Sequence, residues 1–146
     1  MISRPEILGA WALVSYELRA LDDTHIEYPF GDDAQGFLIY TDDGYMSAQL
    51  MRRDRPLYDR PSGAGGTTEQ SAAAARGYLA YSGPFDVDED NGTVRHHASI
   101  SLYPNWAGGD QVRHADLRDG RLVLVADVVD KLGSGARATL IWRRPE

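Results

Sequence analysis

The sequence predicts an all-β domain, a barrel or sandwich of eight to ten antiparallel strands with one α-helix between them. Three observations carry this reading. Runs rich in β-branched and aromatic residues recur at regular spacing, Asp-Gly and Asn-Gly turns punctuate them, and one segment alone has a convincing helix start. At 146 residues the chain is expected to be a single domain, 1–146, large enough to bury a core or a core with a cavity.

In chain order, strands are expected near residues 10–20, 25–29, 36–41, 44–51, 83–88, 93–103, 110–118, 121–128 and 136–144. Asp42-Asp43-Gly44 separates GFLIYT from GYMSAQLM, Asp90-Asn91-Gly92 separates PFDVDE from TVRHHASISLY, and Asp119-Gly120 separates QVRHADLR from RLVLVADV. Each glycine supplies the positive φ that primed and bulged hairpin turns require. The helix is expected at 68–80, where Thr67 and Gln70 make a capping box ahead of an alanine run. Its apolar stripe would be Ala74, Ala75, Tyr78 and Leu79, packed across the sheet or plugging one end. Between strand 44–51 and this helix, RRDRPLYDRPSGAGG is too rich in proline and glycine for regular structure and reads as a long loop.

Composition narrows the function. The 42% hydrophobic and 25% charged content and the mean hydropathy of −0.42 are those of an ordinary globular protein. No apolar run reaches the ~20 residues of a membrane span, and MISRPEILGAW has no apolar core of a secretory signal, so a cytoplasmic location is expected. The absence of cysteine removes disulfides, thiolate zinc sites and cysteine nucleophiles together. A net charge of −7 without a basic stripe argues against nucleic acid. No phosphate-binding loop, dinucleotide fingerprint or nucleophile elbow is present, since GAGG at 63–66 follows an irregular segment where those motifs need a strand. The acidic stretches DDTHIEYPFGDD and DVDEDNG lack the spacing of a calcium loop. The reading is therefore a small-molecule partner with no cofactor, no metal, no nucleic acid and no membrane, in a monomer or homodimer.

Several phrases line up over nearly the whole chain: Gly9-Ala10-Trp11-Ala12-Leu13-Val14-Ser15, Gly36-Phe37-Leu38-Ile39-Tyr40-Thr41, Asp43-Gly44-Tyr45-Met46-Ser47, and Gly77-Tyr78-Leu79-Ala80-Tyr81-Ser82-Gly83. Val94-Arg95-His96-His97, Pro104-Asn105-Trp106-Ala107-Gly108, Gln111-Val112-Arg113 and Trp142-Arg143-Arg144 follow in order. Together they resemble the bacterial and fungal lipocalin-like domain family. The resemblance implies a closed antiparallel lipocalin-like β-barrel with a central cavity. It also implies a setting in natural-product biosynthesis, where related small barrels include passive carriers as well as pericyclic and acid–base cyclases. Pro84 departs from the family pattern, which usually has a bulky or basic residue there, and marks an edge or bulge.

In an eight-stranded barrel, alternate residues face the lumen, which holds one small ligand. On strand 93–103 the apolar row Val94, His96, Ala98, Ile100 and Leu102 reads as interior, with His97 facing water. Gln111, Arg113, Ala115 and Leu117 form the interior row of strand 110–118, and Tyr81, Leu140 and Trp142 join them. Strand 44–51 stays open: Met46, Ala48 and Leu50 face inward by ordinary logic, whereas a polar site would turn Tyr45 and Gln49 to the lumen.

Interior His96, Arg113 and Tyr81 are the candidate catalytic residues. Imidazole moves a proton near neutral pH, and a guanidinium holds a developing oxyanion. Tyr45, Gln49, Gln111, Trp106 and Trp142 are the candidate ligand-binding residues, with Trp106 at a mouth of the barrel. The bland reading has His96 hydrogen-bonded across the strands and Arg113 neutralised by a carboxylate such as Glu17. His96, His97 and His114 make a poor metal site, because adjacent strand residues point to opposite faces. The leading reading is a cofactor-independent biosynthetic cyclase, isomerase or dehydratase using acid–base chemistry on an apolar oxygenated molecule, and the alternative is a carrier that binds such a molecule without chemistry.

Overall fold

The protein is described by a computed structural model covering residues 2–60, 65–129 and 133–146. Ten strands follow one another: β1 (Gly9–Ala20), β2 (Ile26–Glu27), β3 (Gln35–Tyr40), β4 (Tyr45–Met51), β5 (Tyr78–Asp88), β6 (Thr93–Ala98), β7 (Ile100–Ser101), β8 (Gly109–Arg118), β9 (Arg121–Val129) and β10 (Gly135–Arg143). A short helix, α1 (Arg4–Ile7), precedes them, and α2 (Thr68–Arg76) lies between β4 and β5.

The three expected hairpins form, β3–β4, β5–β6 and β8–β9, and their turn glycines Gly44, Gly92 and Gly120 all take positive φ. The strand order β10-β9-β8-β6-β5-β4-β3-β1 closes on itself because β1 also pairs with β10 from Ala12–Arg143 to Ala20–Ala136. The result is a closed eight-stranded antiparallel barrel, with β2 added beside β1 and β7 paired to β5. Closure removes the free edges that an open sheet would expose.

Period-two alternation sends one row of each strand inward. Leu38 and Tyr40 of β3, Met46, Ala48 and Leu50 of β4, Val94 and His96 of β6, and Trp142 of β10 are all buried. α1, which sequence reading missed, adds Ile7 to this core, and Ile2 just ahead of it is buried there too. The Ile7 carbonyl accepts the Trp11 indole N–H at 2.8 Å. Arg144 then lies 3.7 Å over the Trp11 ring and donates to the carbonyls of Glu6 and Ala10. The N-terminal and C-terminal segments are thereby tied together.

Several boundaries need correction. The helix ends at Arg76 and not at residue 80, with Gly77 as its C-cap, and Tyr78 and Leu79 belong to β5. The capping box of Thr67 and Gln70 forms as expected, but pairing of Tyr78 with Met51 and of Leu79 with Leu50 overrides the helical spacing beyond it. No residue of α2 is buried and none lines the cavity, so it is not a plug. Strand 25–29 shrinks to the two residues of β2. The run 93–103 breaks at Ser99, where the Ser99 N–H folds back on the His97 carbonyl. That break turns Ile100 and Leu102 outward, 68% and 46% exposed, against their expected place in the interior row. Pro84 and Gly83 sit opposite the break, between the stretch of β5 that pairs with β7 and the stretch that pairs with β6, as an edge or bulge proline should. The long loop has no helix or strand at 52–60 or 65–66, and residues 61–64 lie outside the described residues.

Candidate functional site

The inward rows of the barrel enclose a cavity of about 320 Å³. This is at the small end of the ~300–1,000 Å³ that ligand pockets occupy. Its wall is largely apolar: Leu38, Ala48, Leu50, Leu79, Leu124, Leu140 and the aromatic rings of Tyr16, Tyr81, Trp106 and Trp142. His96, Gln111 and Arg113 interrupt it with polar atoms.

Six of the eight candidates meet in this wall: His96, Arg113, Tyr81, Gln111, Trp106 and Trp142. Strand parity delivers them, since β5, β6, β8 and β10 each contribute side chains from one row, while Trp106 comes from the 3-10 turn Pro104–Trp106. Its indole meets the Tyr81 ring edge-on at 5.5 Å. Tyr45 and Gln49 are the two that do not arrive. Tyr45 is 55% exposed, and Gln49 lies on the outer face, where Tyr78 donates a short hydrogen bond to its Oε1. Met46, Ala48 and Leu50 take the interior instead, because a row of apolar side chains gains more from burial than a tyrosine and an amide that would need partners there.

His96 is 1% exposed and both of its ring nitrogens are occupied. Nε2 lies 2.6 Å from the Tyr40 hydroxyl and Nδ1 lies 2.8 Å from the Tyr81 hydroxyl. Burial, reinforced by the positive charge of Arg113, pushes the imidazole pKa down to about 3, so the ring is neutral across the physiological range. Burial also holds both phenols in their protonated form, Tyr81 pushed up to about 12 and Tyr40 well above its ordinary value.

A neutral imidazole has one donor and one acceptor. Tyr40 is 1% exposed, lies outside the cavity wall and has His96 as its hydroxyl's hydrogen-bond partner, so its O–H donates to Nε2. Hydrogen-bond accounting then assigns the proton to Nδ1, which donates to the Tyr81 oxygen. The Tyr81 O–H is left over and belongs to the cavity. Tyr40 was not among the candidates of the sequence. It stands on β3, separated from β6 by two strands in the sheet order, and only barrel closure brings it to His96. Tyr16 of β1 was missed for the same reason.

Arg113 donates to Gln111 Oε1 at 3.1 Å and to the Val112 carbonyl at 3.1 Å. Among the described residues no carboxylate lies within ion-pair distance of it. Glu17, the expected counterion, faces the outer surface and pairs with Arg19 at 3.4 Å. A second donor is also unanswered: the Trp142 Nε1–H is buried without an acceptor. His97 turns to the outer side and pairs with Asp110 at 2.7 Å, away from His96.

A closed antiparallel barrel with a small enclosed cavity, apolar walls and a few inward donors defines the class of small-molecule-binding barrels. The chain belongs to the lipocalin-like domain family, whose pattern matches residues 8–145. It is similar to the 4'-hydroxy-3'-methoxypropiophenone carrier protein of Aspergillus oryzae, with 38% identity over 107 residues, which are 68% of this chain and 96% of that protein. No solved structure matches the chain at a significant level. Among the described residues, no helix is long and apolar enough to cross a membrane.

Proposed function

We propose that this barrel is a non-catalytic binding or carrier protein for a small, flat, largely apolar molecule that bears carbonyl or phenol oxygens. The observation that carries the reading is the set of donors without acceptors in an otherwise apolar wall, namely the Tyr81 O–H and the unpaired face of Arg113. Unanswered buried donors are costly, and a ligand oxygen answers them. The similarity to an aryl-ketone carrier supports the same ligand class. A carrier is favoured over a catalyst because both nitrogens of His96 are engaged by tyrosines, which leaves no free base among the described residues of the cavity wall.

The second reading is a cofactor-independent cyclase, isomerase or dehydratase in natural-product biosynthesis. It has one observation in its favour: Tyr81, backed by His96, offers a proton in the same cavity as a guanidinium able to hold an enolate oxygen. The test titrates aryl ketones against tryptophan fluorescence, then recovers the bound compound and analyses it by mass spectrometry. Binding with unchanged recovery is the expected result. A transformed compound, with the transformation lost in Tyr81→Phe and Arg113→Gln, would install the enzyme reading in its place, and failure of every aryl ketone to bind would refute both ligand assignments.

A further inference from the structure

Among the described residues, Arg113 is the one formally charged side chain in the cavity wall. No aspartate or glutamate among the described residues lines the cavity, and the hydrogen bonds to Gln111 and Val112 use two of the five guanidinium N–H donors. The other titratable groups facing the interior are Tyr16 on β1, Tyr40 on β3, Tyr81 on β5 and His96 on β6. All four are uncharged in the neutral range: burial raises the three phenols and lowers the imidazole. None of them can serve as a counterion. Among the described residues, this half-buried guanidinium facing an apolar cavity therefore has no anionic partner.

We propose that the ligand provides it: the barrel binds a phenol or enol conjugated with a carbonyl, and holds it as the anion against Arg113. This rests on the binding reading above and refines its ligand class. An opposite charge nearby favours the ionised form of an acid, commonly by one to three pK units. A phenol with a para carbonyl is the natural occupant of such a site. Delocalisation of the charge onto the carbonyl oxygen makes it more acidic than an ordinary phenol, whose pKa is about 10. The same delocalisation leaves the anion less tightly hydrated than a carboxylate, which suits a wall built mainly of leucine and aromatic side chains. The Tyr81 O–H is a further donor for its oxygens.

The probes are 4'-hydroxy-3'-methoxypropiophenone and its 4'-O-methyl ether, which cannot ionise. The phenolate of such a ketone absorbs at longer wavelength than either the neutral phenol or the protein, so the bound form is read directly from the spectrum across a pH series. The expected result is a phenolate band in the bound probe at least about one pH unit below that of the free compound, equivalent to a tenfold preference for the anion. The ether should bind about tenfold more weakly or worse. Arg113→Gln should abolish the band shift, and Arg113→Lys should restore part of it. The ether comparison needs no variant and so stands even if one fails to fold. A bound probe that titrates at or above the pH of the free compound, with the ether binding equally well, overturns the proposal and leaves the binding reading intact. Failure of both probes to bind overturns the two together.

Discussion

The Tyr81 hydroxyl lies 2.8 Å from His96 Nδ1 while the Tyr40 hydroxyl lies 2.6 Å from Nε2, so one buried imidazole is held between two phenols from different walls of the barrel. That arrangement makes His96 a fixed, neutral support for Tyr81 instead of a free base. It also joins β3, β5 and β6 through a polar contact inside an apolar core.

The first consequence is a pH dependence of stability. The folded-state pKa of about 3 lies below the ordinary value of 6.5, so the unfolded chain binds the extra proton between those limits. Stability from this group is therefore complete above about pH 6.5 and is lost as the pH falls toward 3, at up to about 1.4 kcal/mol per pH unit. Urea unfolding between pH 6.5 and 5, above most carboxylate titrations, should show this slope. In His96→Gln the slope should be smaller by that amount, and equal slopes in both proteins would contradict the buried neutral ring.

The assigned tautomer separates the two tyrosines. Tyr40→Phe leaves Nε2 without its donor in a sealed position and should cost about 1–3 kcal/mol of stability. Tyr81→Phe leaves an N–H next to the cavity, where water can accept it, so the stability loss should be smaller while ligand affinity falls. Melting temperature and binding constants measured on the pair check this, and the opposite ranking would reverse the proton assignment.

Gly83 admits no side chain. A β-carbon there would stand 1.9 Å from the His97 carbonyl oxygen and 2.8 Å from the Ser99 nitrogen, both backbone atoms of the break between β6 and β7. Gly83→Ala should cost about 3 kcal/mol and lower the melting temperature by roughly 6–12 °C. A melt within about 2 °C of the parent protein would show that this break can shift at little cost.

Arg144 closes the barrel's seam by stacking on Trp11 at 3.7 Å while donating to the Glu6 and Ala10 carbonyls. Arg144→Ala should destabilise the fold by about 1–3 kcal/mol. Arg144→Lys should recover little, because an ammonium group lacks the planar fork that stacks and donates at once. Thermal melts of both variants, with α1 monitored through Trp11 fluorescence, test the pair.

Much of the architecture was legible in the order of residues. Turn glycines and alternation marked the hairpins, and parity on β6, β8 and β10 put His96, Arg113 and Trp142 inside, because a strand has only two faces and one of them must be apolar. Local pattern failed in two kinds of place. Tyr78 and Leu79 fit a helix and a strand equally well, and only the partner strand β4 chose between them. Tyr45 and Gln49 alternate with an apolar row on equal terms, and only the exclusion of polar groups from an enclosed wall turned them outward.

By itself, then, the sequence determined an antiparallel all-β domain, its turns and most of the side chains that face the interior, since these follow from periods of two and from the φ that a glycine allows, while the closed barrel was what the family resemblance implied. Tertiary structure alone decided what those side chains do to one another. Tyr40 reaches His96 because eight strands close a circle, and Glu17 is lost to Arg113 because β1 presents it on the other face. Such relationships depend on distances across the barrel between residues far apart in the chain, and no local pattern encodes them.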